Sequence, residues 1–174
     1  MGLSMGFNLR GFYPFQWVLY MEMWGFSMDY EVFMREALAI ATEDENEVPV
    51  GALIVKDGEI IARAHNQREG ETQTPLGHAE LIALHEAAKK LGTRRLTGCT
   101  LFVTLEPCPM CAGAMVMAGL TACVFGAFDE KQGCCGSVYD LTQEKNFFHH
   151  VRCVGGVLET EAQKQLQDFF SKKR

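Results

Sequence analysis

From Asp29 onward, the apolar positions of the chain recur at regular spacing. Val32, Phe33, Ala37, Leu38, Ile40 and Ala41 fall at helical spacing behind an Asp able to cap, and the acidic run Glu43-Asp44-Glu45 follows them. That pattern predicts an amphipathic first helix. Residues 49–56 and 59–64 are short runs rich in Val and Ile on either side of Asp57-Gly58, a dipeptide suited to a tight hairpin turn, so two antiparallel strands are expected. Residues 65–77 are polar, contain Gly70, Pro75 and Gly77, and read as a surface loop. The helical pattern returns over 78–91 and closes at Gly92, a good C-terminal cap. A strand over 100–105, a helix over 108–118 and a strand over 121–127 then follow within so short a span that they imply a parallel crossover. Beyond a Gly-containing loop at 129–137 the periodicity weakens, with a strand expected at 150–154 and a last helix over 161–172. The order of elements predicts a mixed sheet between helices.

Composition narrows this picture. The 174 residues are 48% hydrophobic and 22% charged, which fits one soluble domain with a well-buried core. A formal net charge of -6 argues against a protein that coats nucleic acid nonspecifically, because such binding needs many cations on phosphate. A local basic group nevertheless closes the chain, where Lys172, Lys173 and Arg174 follow Phe169-Phe170. The seven cysteines are an odd number and Cys134-Cys135 are adjacent, a poor disulfide framework, so a reducing, cytoplasmic compartment is expected. Cys99 and Cys123 read as small buried hydrophobes. Residues 1–28 are set apart: they are rich in Phe, Trp, Tyr, Met and Gly and carry only Arg10 and Glu22 as charges. Their longest uncharged run, 11–21, is too short to span a bilayer and contains Pro14. They are expected to be an upstream extension, with Met23 or Met28 as the true start and a membrane or partner anchor as the alternative. The domain itself is expected over 29–174.

Two stretches carry candidate chemistry. Cys108-x-x-Cys111 opens a predicted helix, where backbone amides and the helix dipole favour thiolate, the metal-binding form. Alone it is open to three readings, a redox dithiol, half of a structural zinc site, or chance, and the redox one gives no reason for the distant His-x-Glu. His78 opens another predicted helix behind Gly77. One His and two Cys make a three-donor set that leaves the fourth tetrahedral position open, as a catalytic zinc requires. Glu80 lies two residues beyond His78, and such positions do not face each other in a regular helix. The two converge only if His78 sits in an irregular first turn, which is the expectation. A carboxylate beside the metal, and not a ligand to it, is a proton carrier; the bland alternative is a first-turn Glu complementing the dipole.

His78-Ala79-Glu80 with Pro107-Cys108-Pro109-Met110-Cys111 resembles the zinc-dependent nucleobase deaminase signature. Within that superfamily the chain looks most like the bacterial tRNA-specific adenosine deaminases. The likeness runs through Val48-Pro49-Val50-Gly51-Ala52, His65-Asn66, Gly126-Ala127-Phe128-Asp129, Gly136-Ser137 and Asp168-Phe169-Phe170. It implies a three-layer α/β/α sandwich with a mixed five-stranded sheet, of the cytidine deaminase-like kind. It also implies a homodimer, one Zn2+ per subunit on His78, Cys108 and Cys111, and Glu80 as proton shuttle. The reaction implied is hydrolytic deamination of the wobble adenosine to inosine in a tRNA anticodon stem-loop, of an arginine tRNA above all, with no DNA or membrane partner. By the same resemblance Asn66 contacts the flipped base and Asp129 the neighbouring nucleotides, while Phe169 and Phe170 serve the splayed loop by stacking. Each has a plainer reading: a turn residue for Asn66, a loop cap for Asp129, core for at least one Phe. The rival enzyme is a deaminase of a free base or nucleoside, above all guanine; the rival from another class is a zinc-stabilised binding module without catalysis.

Overall fold

The computed structural model describes residues 29–69 and 73–173. The expectations for residues 1–28, for loop residues 70–72 and for Arg174 lie outside the described residues.

The first helix, α1 (Tyr30–Ile40), starts where expected: the Asp29 carboxylate accepts from the amides of Glu31 and Val32 at 3.1 and 3.3 Å. Strands β1 (Gly51–Lys56) and β2 (Glu59–His65) pair antiparallel around Asp57-Gly58, whose φ angles of 51° and 81° are both positive, as a two-residue hairpin turn demands. β1 begins two residues later than the apolar run, because Pro49 has no amide to give to a ladder. Helix α2 (Ala79–Leu91) ends on Gly92 at φ 64°. Strand β3 (Cys99–Leu105), helix α3 (Pro109–Ala118) and strand β4 (Ala122–Ala127) form the expected parallel crossover. A short 3-10 turn (Leu141–Gln143), the three-residue strand β5 (Arg152–Val154) and helix α4 (Glu159–Lys172) complete the chain.

The sheet order is β2-β1-β3-β4-β5, with β1 antiparallel to both neighbours and β3, β4 and β5 parallel. Alternation along the central strands feeds two cores. Ala52, Ile54, Leu101, Val103, Cys123 and Phe125 pack under α2 and α3, whereas Leu53, Val55, Phe102 and Val124 pack under α1 and α4. The three-layer α/β/α sandwich is thus present. Gly51 sets the α1–β1 spacing, since a Cβ there would lie 2.1 Å from the Ala37 carbonyl oxygen. All seven cysteines are unpaired, and Cys99 and Cys123 are fully buried. Among the described residues no helix is long and apolar enough to cross a membrane.

Candidate active site

The carboxyl ends of β3 and β4 and the amino ends of α2 and α3 meet at one side of the sheet, where open α/β proteins characteristically bind ligands. His78 is the N-cap of α2, with φ -76° and ψ 138°, so it lies in extended backbone immediately before the helix. This is the irregular first turn that lets His78 and Glu80 converge. Its placement is tightly enforced. Gln67 donates its amide to the Gly77 carbonyl at 2.8 Å, and a Cβ on Gly77 would sit 2.2 Å from the Gln67 carbonyl oxygen. Cys108 is likewise the extended N-cap of α3, with Pro109 at the first helical position, where its missing amide costs nothing.

These two caps bring three donors together. His78 Nδ1 lies 3.7 Å from Cys108 Sγ and 3.6 Å from Cys111 Sγ. Among the described residues, this trio alone places metal-ligating atoms within 4.8 Å of one another, and Glu80 is not part of it. The set is therefore placed to bind a metal ion. Without one, a thiol hydrogen bond from Cys111, reinforced by His78, lowers Cys108 to about 4. Cys111 is pushed far up by the neighbouring Cys108 sulfur and by burial. The Cys108 contact raises the His78 imidazole, against the opposing effect of burial. A cation taking both sulfurs displaces the remaining thiol proton.

Glu80 is 4% exposed, and its Oε2 is buried without a hydrogen-bond partner. Burial raises its pKa, partly offset by hydrogen bonding to the backbone and by His78. A buried carboxylate with an unclaimed oxygen beside a metal-donor set is equipped to take up and release a proton.

Above the set opens a cavity of about 1010 Å³. Asn66 lines it, 5% exposed, with its Oδ1 accepting from the Ala79 amide at 3.0 Å and its Nδ2 donating to the Val48 carbonyl at 3.2 Å. The side chain thereby fixes the first turn of α2 and is itself held rigid. Asp129 also lines the cavity, and its Oδ1 accepts from the Lys131 and Gln132 amides, so it is a loop cap placed at the wall. The two terminal aromatics part company. Phe170 lines the cavity at 52% exposure, whereas Phe169 lies outside the lining, half-buried with the Lys173 ammonium 4.4 Å from its ring centre.

Among the lining residues to which the sequence reading gave no role, Phe128 and Glu106 stand out. Phe128, 44% exposed, stands edge-on to Phe125. Glu106, 2% exposed, accepts from Asp129, Cys135 and Ser137. Its signal in the sequence is a charged residue directly after an apolar strand and before Pro107, where only a satisfied carboxylate is tolerated.

Fold and site define the class: residues 28–174 match the MafB19-like deaminase family. The chain is similar to the tRNA-specific adenosine deaminase of Bacillus subtilis (strain 168), at 53% identity over 146 residues, 83% of this chain and 90% of that relative. It also resembles a structure solved in a study of A-to-I editing by tRNA:A34 deaminases at the wobble position of transfer RNA. That likeness has 37% identity and a TM-score of 0.72, covering 77% of this chain and 98% of the other. A guanine deaminase from Bacillus subtilis matches less fully, at 40% identity and a TM-score of 0.55 over 58% of this chain and 66% of its own. The chain belongs to the family of the tRNA-specific adenosine deaminases.

Proposed function

We infer that this chain hydrolytically deaminates the wobble adenosine of a tRNA anticodon loop, an arginine tRNA above all, giving inosine and ammonia. The observation that carries the reading is the buried Glu80 carboxylate, its Oε2 without a hydrogen-bond partner, beside a three-donor set it does not join, on the floor of a cavity with exposed aromatic walls.

Zinc is the metal we assign. With Zn–S of about 2.3 Å and Zn–N of about 2.0–2.1 Å, a tetrahedral ion sets its nitrogen and sulfur ligands about 3.6 Å apart. The two His78-to-sulfur distances of 3.7 and 3.6 Å support that fit. When bound through three protein donors, zinc supplies a Lewis acid that lowers the pKa of water at its open position. Glu80 accepts one proton of the attacking water and passes it to the purine ring nitrogen. It then takes the second from the hydroxyl added at the ring carbon and gives it to the amine, which leaves as ammonia as the carbonyl forms; its raised pKa keeps both directions accessible. Asn66, locked by Val48 and Ala79, presents a fixed amide edge to the base. Phe128 and Phe170 offer ring faces to unstacked bases, and Arg68 and Lys131 supply the cations of the wall.

A homodimer in the cytoplasm is the assembly we propose. Its support is the pair Met117 and Phe148, each 63% exposed, at the end of α3 remote from Cys108. The two regions are joined by the Leu96 amide on the Ala118 carbonyl and by Arg95 over the Phe148 ring.

The test is inosine formation by zinc-loaded protein on an arginine anticodon stem-loop with adenosine at the wobble position, with guanine, cytidine and free adenosine alongside. Turnover of the stem-loop alone is expected, and Glu80→Gln should lose about 10³-fold in rate while keeping its zinc. Ammonia from guanine alone would replace this reading with a small-molecule deaminase. Full activity in Glu80→Gln would remove Glu80 from the mechanism.

A further inference from the structure

We propose that Glu106 is a positioning residue that ties the 129–137 loop to the metal-binding segment and so sets the shape of the RNA-facing wall. This inference rests on the RNA reading above. Glu106 stands between the end of β3 and Cys108, with its side chain buried. Its Oε2 accepts from the Asp129 amide at 3.1 Å and from the Ser137 hydroxyl. Its Oε1 accepts from the amides of Cys135 and Ser137 at 3.0 and 3.1 Å. One carboxylate therefore holds both ends of the loop, and a second tie runs from the Cys134 amide to the Pro107 carbonyl at 2.9 Å.

The loop is folded closely around that carboxylate, since a Cβ on Gly133 would lie 2.2 Å from Glu106 Oε2. Asp129, Lys131, Gln132, Gly136 and Ser137 all face the cavity. The donors all belong to the loop, none to the zinc ligands. An ionised carboxylate only accepts, and four converging N–H and O–H groups match it. An amide in its place turns two of its own N–H groups toward donors, so Gln is not a conservative exchange here.

Steady-state kinetics on the stem-loop separate this role from a structural one. Glu106→Gln should raise KM about 10-fold with kcat changed less than about 3-fold and zinc content unaltered, because binding geometry and not chemistry is disturbed. Ser137→Ala, which deletes one of the four donors and leaves the carboxylate, should raise KM in the same sense by about 3-fold. An unchanged KM in Glu106→Gln overturns the proposal, as does loss of zinc or a fall in kcat at constant KM. Should Glu106→Gln fail to fold, an unchanged KM in Ser137→Ala overturns it equally. A wild-type chain inert on the stem-loop brings down the functional reading and this inference together. An active wild type with unmoved KM in both variants brings down the inference alone.

Discussion

At the residue scale, Glu80 is 4% exposed with its Oε2 buried and unpartnered, and that burial acts on the stability of the metal-free chain. Because the folded pKa is raised, the cost of ionised Glu80 is absent below the usual carboxylate value and grows as pH rises from there to the raised value. Metal-free Glu80→Gln should therefore be more stable than metal-free wild type at about pH 8, by about 1–3 kcal/mol, with the gap closing near about pH 4. Urea unfolding at the two pH values measures it, and equal stabilities at the higher pH would refute it. The place of Glu80 was readable in the sequence, but its burial and unpartnered oxygen required the packed core. His78, Cys108 and Cys111 could be read as candidate metal donors from residue type and from their places at helix starts, even though His78 meets the two sulfurs across 30 and 33 positions. Glu106 could not, since its partners, 23 to 31 positions downstream, are backbone amides and one serine hydroxyl that no residue type announces.

At the element scale, the periodicity located the four α-helices and five strands of the described residues, and the differences lie at their ends. α4 starts at Glu159, two residues before its expected start, behind Leu158 in a left-handed conformation at φ 53° that apolar periodicity does not reveal. The last strand shrinks from 150–154 to Arg152–Val154. His150 turns its ring to the Glu144 carbonyl, and Val151 donates to the Thr142 carbonyl instead of a neighbouring strand. The entry into α2 is the boundary that matters for the site, because Gly77 lets two backbone segments touch. Gly77→Ala forces the Gln67 carbonyl aside and moves His78 with it. We expect about a 10- to 100-fold loss of zinc affinity, as for other disturbed ligand supports, with helix content retained. Competition against a chromophoric chelator, read beside far-ultraviolet circular dichroism, checks this; unchanged affinity would mean that His78 is not held by the Gly77 contact.

At the scale of the whole molecule, the described sandwich is complete within residues 29–173, and the family match covers 28–174. A chain beginning at Met28 is therefore expected to keep the melting temperature, the rate on the stem-loop and the sedimentation profile of the full chain. Loss of activity or a changed sedimentation profile in that chain would give residues 1–28 a role. The sequence by itself determined the class of each described helix and strand, the hairpin at Asp57-Gly58 and the residues of the candidate metal site, because these follow from local backbone preference and from the chemistry of the residue types. Only the tertiary structure decided the strand order β2-β1-β3-β4-β5, the choice of Phe170 over Phe169 for the cavity wall, and the capture of the 129–137 loop by Glu106. Those depend on which distant segments share a surface, and that is settled by close packing of the assembled layers, which no local pattern encodes.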